Sequence, residues 1–249
     1  MITLKSRREL QIMRDASKIV AEVLLDLRPH CRPGVTTREL DRIAEEKTHQ
    51  RGGHPAFKGY RGFPRSLCTS VNQEVVHGIP GNRALNEGDI VGLDFGVLYN
   101  GYYGDAAITM PIGTIGPELT ELLRITEQSL YLGIEQMVPG NHLSDISRAI
   151  QTHAENHGYS VVKEFGGHGI GKRLHEDPMV LNYVANGRGV KLKPGLVLAI
   201  EPMVNLGVDK VRILSDGWTV VTLDGMPSAH FEHTIAITDN GPEILTQLS

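Results

Sequence analysis

The chain is poor in cysteine, and this scarcity excludes several classes of protein. Cys31 and Cys68 are the only cysteines among 249 residues, and they match no CxxC pattern. A framework of several disulfides and a cysteine-rich zinc site are therefore excluded, and a reducing compartment is expected. The chemistry of the protein should rest on other side chains.

Long apolar runs and an N-terminal secretion signal are also missing. No apolar stretch approaches the roughly 20 residues that cross a bilayer. The opening residues MITLKSRRELQIMRD mix both charge signs too early for a signal peptide. We therefore predict a cytoplasmic protein without a membrane partner.

Blocks of like charge are absent as well. The formal net charge is −4, and 22 % of the residues are charged. This composition gives no sign of a basic surface that would bind nucleic acid. Hydrophobic residues make up 40 % of the chain, which suffices for a substantial core. A small soluble substrate or a peptide is the expected partner.

Two helical segments open the chain, and their pattern recurs. Apolar spacing predicts a helix over residues 6–28, and the capping pattern of Thr36 and Glu39 predicts a second. A shift of 106 residues brings the Pro-Gly turn at 33–34 onto that at 139–140, again between two helical patterns. The repeat predicts one domain, residues 1–249, built from two related halves that meet near residue 111 (approximately 1–111 and 112–249).

Each helix pair is followed by a segment rich in strand signals. These segments cover roughly residues 66–111 and 161–238. Helices and strands are thus segregated along each half instead of alternating as in βαβ units. The expected fold class is α+β with antiparallel sheets.

A hairpin places two aspartates on one face of a sheet. The dipeptide Asn100-Gly101 predicts a two-residue loop, so facing residues have numbers that add to 201. Asp105 then faces Gly96, which lies on the same side of its strand as Asp94. The two carboxylates become diagonal neighbours unless a bulge intervenes.

Two such carboxylates need compensation if they are buried. At a separation of about 5 Å and an effective dielectric constant of about 20, two ionised carboxylates repel by roughly 3 kcal/mol. The alternatives are a shared proton, a cation between them, or an exposed surface hairpin.

Three further residues favour the cation. Glu201 interrupts the apolar segment LVLAIEPMVN, and Glu232 lies in HFEHTIAIT, both without a neighbouring lysine or arginine. Buried carboxylates require partners. His168 lies in FGGHGIG, where the glycines let a bound group approach the backbone.

Together these residues form a candidate ligand set for two divalent cations. Four carboxylates carry a charge of −4, which two dications balance. Oxygen-rich ligation with one nitrogen favours manganese, iron or cobalt, with zinc as a further candidate. The five candidate metal ligands are Asp94, Asp105, His168, Glu201 and Glu232.

Six segments resemble those of the type I methionine aminopeptidases, and the resemblance covers essentially the whole chain. In order, they are SVNQEVVHGIP (70–80), LDFGVLYNGYYGDAA (93–107), GGHGIGKRLHEDP (166–178), AIEPMVN (199–205), DGWTVVT (216–222) and FEHTIAIT (231–238). The resemblance implies the pita-bread fold, with two pseudo-symmetric halves around a central metal site. It also implies removal of the N-terminal methionine from nascent proteins and peptides, with a preference for a small second residue.

The resemblance further implies a role for each metal ligand. Asp94 would chelate one cation, Asp105 and Glu232 would bridge both, and His168 and Glu201 would complete the other. A bridging water or hydroxide would attack the carbonyl of the first peptide bond, with Glu201 as general base.

The resemblance also implies a substrate site. His77 and His175 would contact the substrate and the developing oxyanion, while the remaining histidines are expected at the surface. The methionine side chain would enter an apolar slot formed by Tyr60, Phe63, Cys68 and Trp218.

The chain departs from the family pattern at two positions. Arg61 stands where a histidine is common, and Leu174 where an aromatic residue is common, so the shape of the slot is open. We expect no zinc-binding or ribosome-binding extension before the first helix and no long insertion in the second half. A minimal bacterial-type monomer that works transiently near the ribosome is expected.

Two alternatives remain at this point. Prolidases and aminopeptidase P have a similar set of five ligands, but usually an additional N-terminal domain. A non-catalytic pita-bread module that binds peptides would typically lose ligands, whereas all five are present here.

Overall fold

The computed structural model describes residues 2–247, which form four α-helices and fifteen β-strands. The helices are α1 (Arg7–Leu27), α2 (Thr37–Gln50), α3 (Pro117–Glu135) and α4 (Leu143–Asn156). The strands of the first half are β1 (His54–Pro55), β2 (Cys68–Val71), β3 (Glu74–Val76), β4 (Ile90–Tyr99) and β5 (Tyr102–Pro111). The remaining strands are β6 (Ser160–Val161), β7 (Gly166–Gly169), β8 (Glu176–Leu181), β9 (Val197–Ile200), β10 (Met203–Asn205), β11 (Val211–Ile213), β12 (Val220–Thr222), β13 (Ser228–His230), β14 (His233–Thr238) and β15 (Gly241–Ile244).

Side-chain caps explain where the first two helices begin. The Ser6 hydroxyl accepts the backbone N–H of Glu9, and the Glu9 carboxylate accepts the backbone N–H of Ser6 at 2.8 Å. In α2 the Thr36 hydroxyl accepts the backbone N–H of Glu39, as the sequence pattern predicts. Such caps satisfy N–H groups that have no partner inside the helix.

The strands form four sheets, and all strand pairs are antiparallel. The five-stranded sheet has the order β15-β14-β9-β7-β8, and in a second sheet β4 pairs with β1, β2 and β5. Two three-stranded sheets, β13-β10-β6 and β11-β12-β3, complete the set. Helices and antiparallel sheets are segregated, so the predicted α+β class is confirmed.

The helices cover the sheets, and the apolar residues lie between them. In the first half α1 packs on β4 and β5, with Val20 and Leu93 fully buried between them. In the second half α3 and α4 pack on each other, and the core around them includes Ile150 and Leu198. No helix within residues 2–247 is long and apolar enough to cross a membrane.

The two helix pairs are held by equivalent backbone bonds. The N–H of Gly34 donates to the carbonyl of Leu85 at 2.8 Å, and the N–H of Gly140 donates to that of Leu192 at 3.1 Å. Both glycines have a positive φ, 86° and 101°, which side chains rarely tolerate. These matching turns support the repeat, while its boundary at residue 111 stays a prediction.

The central hairpin has the register that its turn predicts. Asn100 and Gly101 have φ values of 48° and 80°, as a type I′ turn requires. Tyr99 then pairs with Tyr102, and the ladder from β4 to β5 continues to Pro111 without a bulge. The predicted pairing of Gly96 with Asp105 is confirmed.

Candidate metal centre and substrate cavity

Strands from both halves bring five acidic and imidazole side chains to one cavity. Asp94 lies on β4, Asp105 on β5 and His168 on β7, while Glu201 follows β9 and Glu232 precedes β14. An isolated β-bridge between residues 107 and 232 joins the two sheets beside them. All five line the same cavity, so the structure brings together every predicted ligand.

Ligand atoms of four of these residues lie as close together as expected for groups around a shared cation. One ligand atom each from Asp105, His168 and Glu232 lies within 4.8 Å of the other two. Nε2 of His168 lies 3.7 Å from Oε1 of Glu201. These residues come from four separate segments of the chain, and only folding brings them together.

Three carboxylate oxygens in this cluster lack a hydrogen-bond partner. They are Oδ1 of Asp94, Oδ1 of Asp105 and Oε1 of Glu232, and each of these atoms is buried. Asp94 as a residue is partly exposed, whereas Asp105 and Glu232 are buried entirely. Buried acceptors without partners are costly, so the cluster requires protons or a cation.

The electrostatics of the carboxylates lead to the same requirement. Burial raises the pKa of Asp94 to about 7, with a smaller upward contribution from Glu201 that opposes the lowering effect of His230. Burial, followed by the charges of neighbouring carboxylates, raises the pKa of Asp105 and of Glu232 well above the ordinary range. A divalent cation would stabilise the ionised forms.

The histidine of the cluster presents its free nitrogen to these carboxylates. Nδ1 of His168 lies 2.9 Å from the carbonyl of Gly169, and a carbonyl only accepts hydrogen bonds. Nδ1 therefore donates this bond, and Nε2 faces Glu201. This arrangement is typical of metal-ligating histidines. The donor set fits a divalent cation.

Glu201 stands in a different environment from the other carboxylates. Burial raises its pKa, but the nearby imidazoles of His230 and His168 lower it more, and the net pKa is below the ordinary value. Nε2 of His230 lies 3.6 Å from Oε2 of Glu201. Glu201 is thus the carboxylate of the cluster that stays ionised most readily.

His230 was expected at the surface, and this expectation is wrong. The residue is only 3 % exposed and contacts Glu201. It lies two positions before Glu232, and alternate residues of an extended segment point to the same side. The inward direction of Glu232 was therefore a usable signal for His230. His233 is also largely enclosed, and burial lowers its pKa to about 4.

The two predicted substrate-contacting histidines both line the cavity. The ring of His77 meets the edges of Phe165 and Trp218, and its φ of 60° places a non-glycine residue in the left-handed region. Nδ1 of His175 lies 3.0 Å from the Tyr60 hydroxyl. Burial lowers the pKa of His77, and burial followed by the charge of His168 lowers that of His175 to about 4.

Part of the cavity wall is apolar. Tyr60, Phe63, Cys68 and Trp218 all line it, and the rings of Phe63 and Trp218 meet edge to face at 5.1 Å. Burial raises the pKa of the Cys68 thiol well above its usual range, so this sulfur is a neutral, apolar surface. The cavity has a volume of about 120 Å³.

Three further residues complete the wall. Phe57 lines the cavity and was missed by sequence reasoning, because a single phenylalanine in a loop carries no directional signal. The Phe57 ring also explains why position 96 is a glycine, because a Cβ built on Gly96 would lie 2.7 Å from a carbon of this ring. Arg61 and Leu174, the two departures from the family pattern, also line the cavity.

Comparison with known proteins identifies the family. The model of metallopeptidase family M24 matches residues 11–239. The chain is 54 % identical over 248 residues to methionine aminopeptidase 1 of Bacillus subtilis, and the match covers both proteins completely. It superimposes on the crystal structure of methionine aminopeptidase from Thermotoga maritima with a TM-score of 0.98, at 45 % identity and with full coverage of both chains.

A more distant similarity concerns the fold alone. The prolidase from Pyrococcus horikoshii shares the architecture with a TM-score of 0.80 at 23 % identity, and the chain covers 64 % of that protein. The family model, the full-length relatives and the pita-bread architecture agree. The chain therefore belongs to metallopeptidase family M24 and, within it, to the methionine aminopeptidases.

Proposed function

We propose that the protein removes the N-terminal methionine from nascent proteins and peptides, with a preference for a small second residue. One observation carries this proposal: a cluster with three buried carboxylate oxygens that lack hydrogen-bond partners lies in a cavity whose wall is partly apolar. The cluster is suited to hydrolysis, and the apolar wall is suited to a thioether side chain. The names of the full-length relatives support the same reaction.

The metal cofactor is proposed as two divalent cations of cobalt, manganese, iron or zinc. Asp94 would hold one, His168 and Glu201 would hold the other, and Asp105 and Glu232 would contact both. When bound, such cations lower the pKa of water and polarise a carbonyl group. The oxygen-rich donor set favours these metals over those that prefer sulfur ligands.

Glu201 is proposed as the general base. Its lowered pKa keeps the carboxylate ionised near neutral pH, so it can take the proton of the attacking water. The same group then donates this proton to the leaving amine. The other carboxylates, whose pKa values are raised, are less suited to this role without a cation.

His77 and His175 are proposed to bind the substrate peptide and the tetrahedral intermediate. Their lowered pKa values make both imidazoles neutral at physiological pH, so each carries one ring N–H. A fixed N–H directed at the developing oxyanion stabilises the transition state more than the ground state.

The methionine side chain is proposed to bind against Tyr60, Phe63, Cys68 and Trp218. The edge-to-face contact of Phe63 with Trp218 gives this wall a defined shape. A neutral Cys68 thiol suits the sulfur of the substrate better than a charged group would.

The domain organisation, oligomeric state and cellular location are also proposed. Residues 1–249 would form one catalytic domain, with halves 1–111 and 112–249, that acts as a monomer in the cytoplasm. Its substrates, nascent chains, would bring it transiently close to the ribosome. Light scattering of the purified protein should report the mass of one 27.3 kDa chain.

The substrate assignment is tested by comparing peptides. After chelation and reloading with each metal, we expect release of methionine from Met-Ala-Ser with a kcat/KM at least about 100-fold above that for Ala-Pro or Xaa-Pro-Ala. A Met-Xaa-Ser panel measures the preference for the second residue. Faster hydrolysis of the prolyl peptides would contradict the proposal and favour a prolidase.

His175→Ala should fold, retain metal and lose rate. We expect kcat to fall by about 100-fold, because one stabilising N–H is removed from the oxyanion. His157→Ala is a matched control, since His157 is exposed and outside the cavity. Steady-state kinetics check both variants, and a wild-type kcat for His175→Ala would remove this residue from the mechanism.

A further inference from the structure

A buried ion pair joins the segment before α1 to the loop that carries His175. Nζ of Lys5 lies 2.7 Å from Oε2 of Glu176, and the two side chains are only 4 % and 10 % exposed. Glu176 directly follows His175 in the chain. Burying two charges costs desolvation energy that their attraction offsets only with good geometry. Such a pair adds little stability on average, so its place beside His175 suggests a function.

Additional contacts fix this pair in one geometry. The Lys5 backbone N–H donates to the carbonyl of Gly195 at 2.7 Å, which anchors the N-terminal segment to the second half. Oε1 of Glu176 accepts the backbone N–H of Arg173 at 3.2 Å, which closes the loop on itself. Burial raises the pKa of Glu176, but the bonds from Lys5 and Arg173 lower it more, so the group is charged.

The loop is shaped to admit the pair. A Cβ built on Gly171 would lie 2.5 Å from Cε of Lys5 and 2.8 Å from Oε1 of Glu176. Any side chain at this position would displace one of the two charges. The N–H of Gly171 donates to the carbonyl of Arg173, and its carbonyl accepts the N–H of Tyr103. The ion pair thus lies against both ends of the loop 171–176.

His175 depends on this loop for its position. Nδ1 of His175 lies 3.0 Å from the Tyr60 hydroxyl, and the ring centroid lies 4.1 Å from that of His168. Both contacts hold the ring from the cavity side. From the chain side, the next residue, Glu176, pairs with Gly169 in the β7–β8 ladder, and its side chain is bonded to Lys5. A displacement of about 1 Å can cost about 100-fold in rate.

We propose that Lys5 and Glu176 are positioning residues that hold the imidazole of His175 in its working orientation. Neither side chain lines the cavity. The N-terminal segment thereby connects Gly195 and Glu176 of the second half through Lys5. This inference rests on the proposed role of His175.

The test uses the full-length, metal-loaded protein with Met-Ala-Ser as substrate. Lys5→Met and Glu176→Gln should each lower kcat by about 10-fold or more, with KM changed by less than about twofold and the metal content unchanged. Lys5→Arg, which keeps the charge, should recover most of the rate. The control is Arg14→Met, which removes an ion pair between α1 and Glu243 that does not touch the loop, and it should keep the wild-type kcat.

A double-mutant cycle separates positioning from general destabilisation. In a His175→Ala background, Lys5→Met should cost no further rate, because the group it positions is already gone. An equal loss of kcat in both backgrounds would overturn the inference, and so would a wild-type kcat in a folded Glu176→Gln variant. If His175→Ala itself kept its rate, the proposed role of His175 would fail instead, which is a distinct result.

Discussion

Glu201→Ala should lower kcat by at least about 1,000-fold while weakening substrate binding far less. The attacking water loses its proton acceptor, and the leaving amine loses its proton donor. Burial raises the pKa of the other cavity carboxylates, which favours their protonated forms over proton acceptance. Steady-state kinetics on Met-Ala-Ser at saturating metal give kcat and KM, and calorimetry with an unreactive peptide gives the binding constant.

Two control variants separate proton transfer from metal binding. Glu201→Gln keeps the volume and one oxygen ligand but cannot accept a proton, so it should lose almost as much rate as the alanine variant. Glu243→Ala removes a carboxylate outside the cavity and should keep wild-type activity. A Glu201→Ala enzyme with most of its activity would show that another group acts as the base.

The second large effect is expected on metal removal. Chelated protein should be inactive, and its stability should fall as the pH rises from about 4 to 7. The pKa of Asp94 is raised from 3.8 to about 7 in the folded protein, so the protonated folded state is favoured below this value. Stability from this group is fully present below the unfolded pKa and is lost as the pH rises through the folded pKa. Asp105 and Glu232 contribute with the same sign.

Bound metal should reverse this dependence of stability on pH. A bound cation needs deprotonated carboxylates, so stability of the loaded protein should rise over the same pH range. The measurement is Tm between pH 4 and pH 8, in chelator and with saturating Mn²⁺. The unfolding free energy of the chelated protein should change less with pH in the Asp94→Asn variant. The difference across this pH range should be on the order of a few kcal/mol. Identical pH profiles with and without metal would contradict the electrostatic account.

The elements closest to the cluster were predictable because short-range rules determine them. The turn Asn100-Gly101 sets the register of its hairpin, and the register brings Asp94 and Asp105 to one face. The helix caps at Ser6 and Thr36 likewise follow from local backbone chemistry. These features need no knowledge of the remainder of the fold.

Residues that depend on packing between distant segments were not predictable. The contact of His230 with Glu201 was not predictable, although the position of His230 two residues before Glu232 indicated its inward direction. Lys5 and Glu176 are separated by 171 positions, and no local pattern links them. Their pairing follows from the way the N-terminal segment packs on the second half.

We propose that divalent cations hold together carboxylates that are distant in the chain. Anomalous diffraction at the cobalt edge, from crystals of protein loaded with Co²⁺, tests it most directly. We predict two peaks in the cavity, both in contact with Asp105 and Glu232, with Asp94 beside one and His168 beside the other. A cavity without anomalous density, or with the carboxylate of Asp94 turned away from that of Asp105 into solvent, would contradict the account.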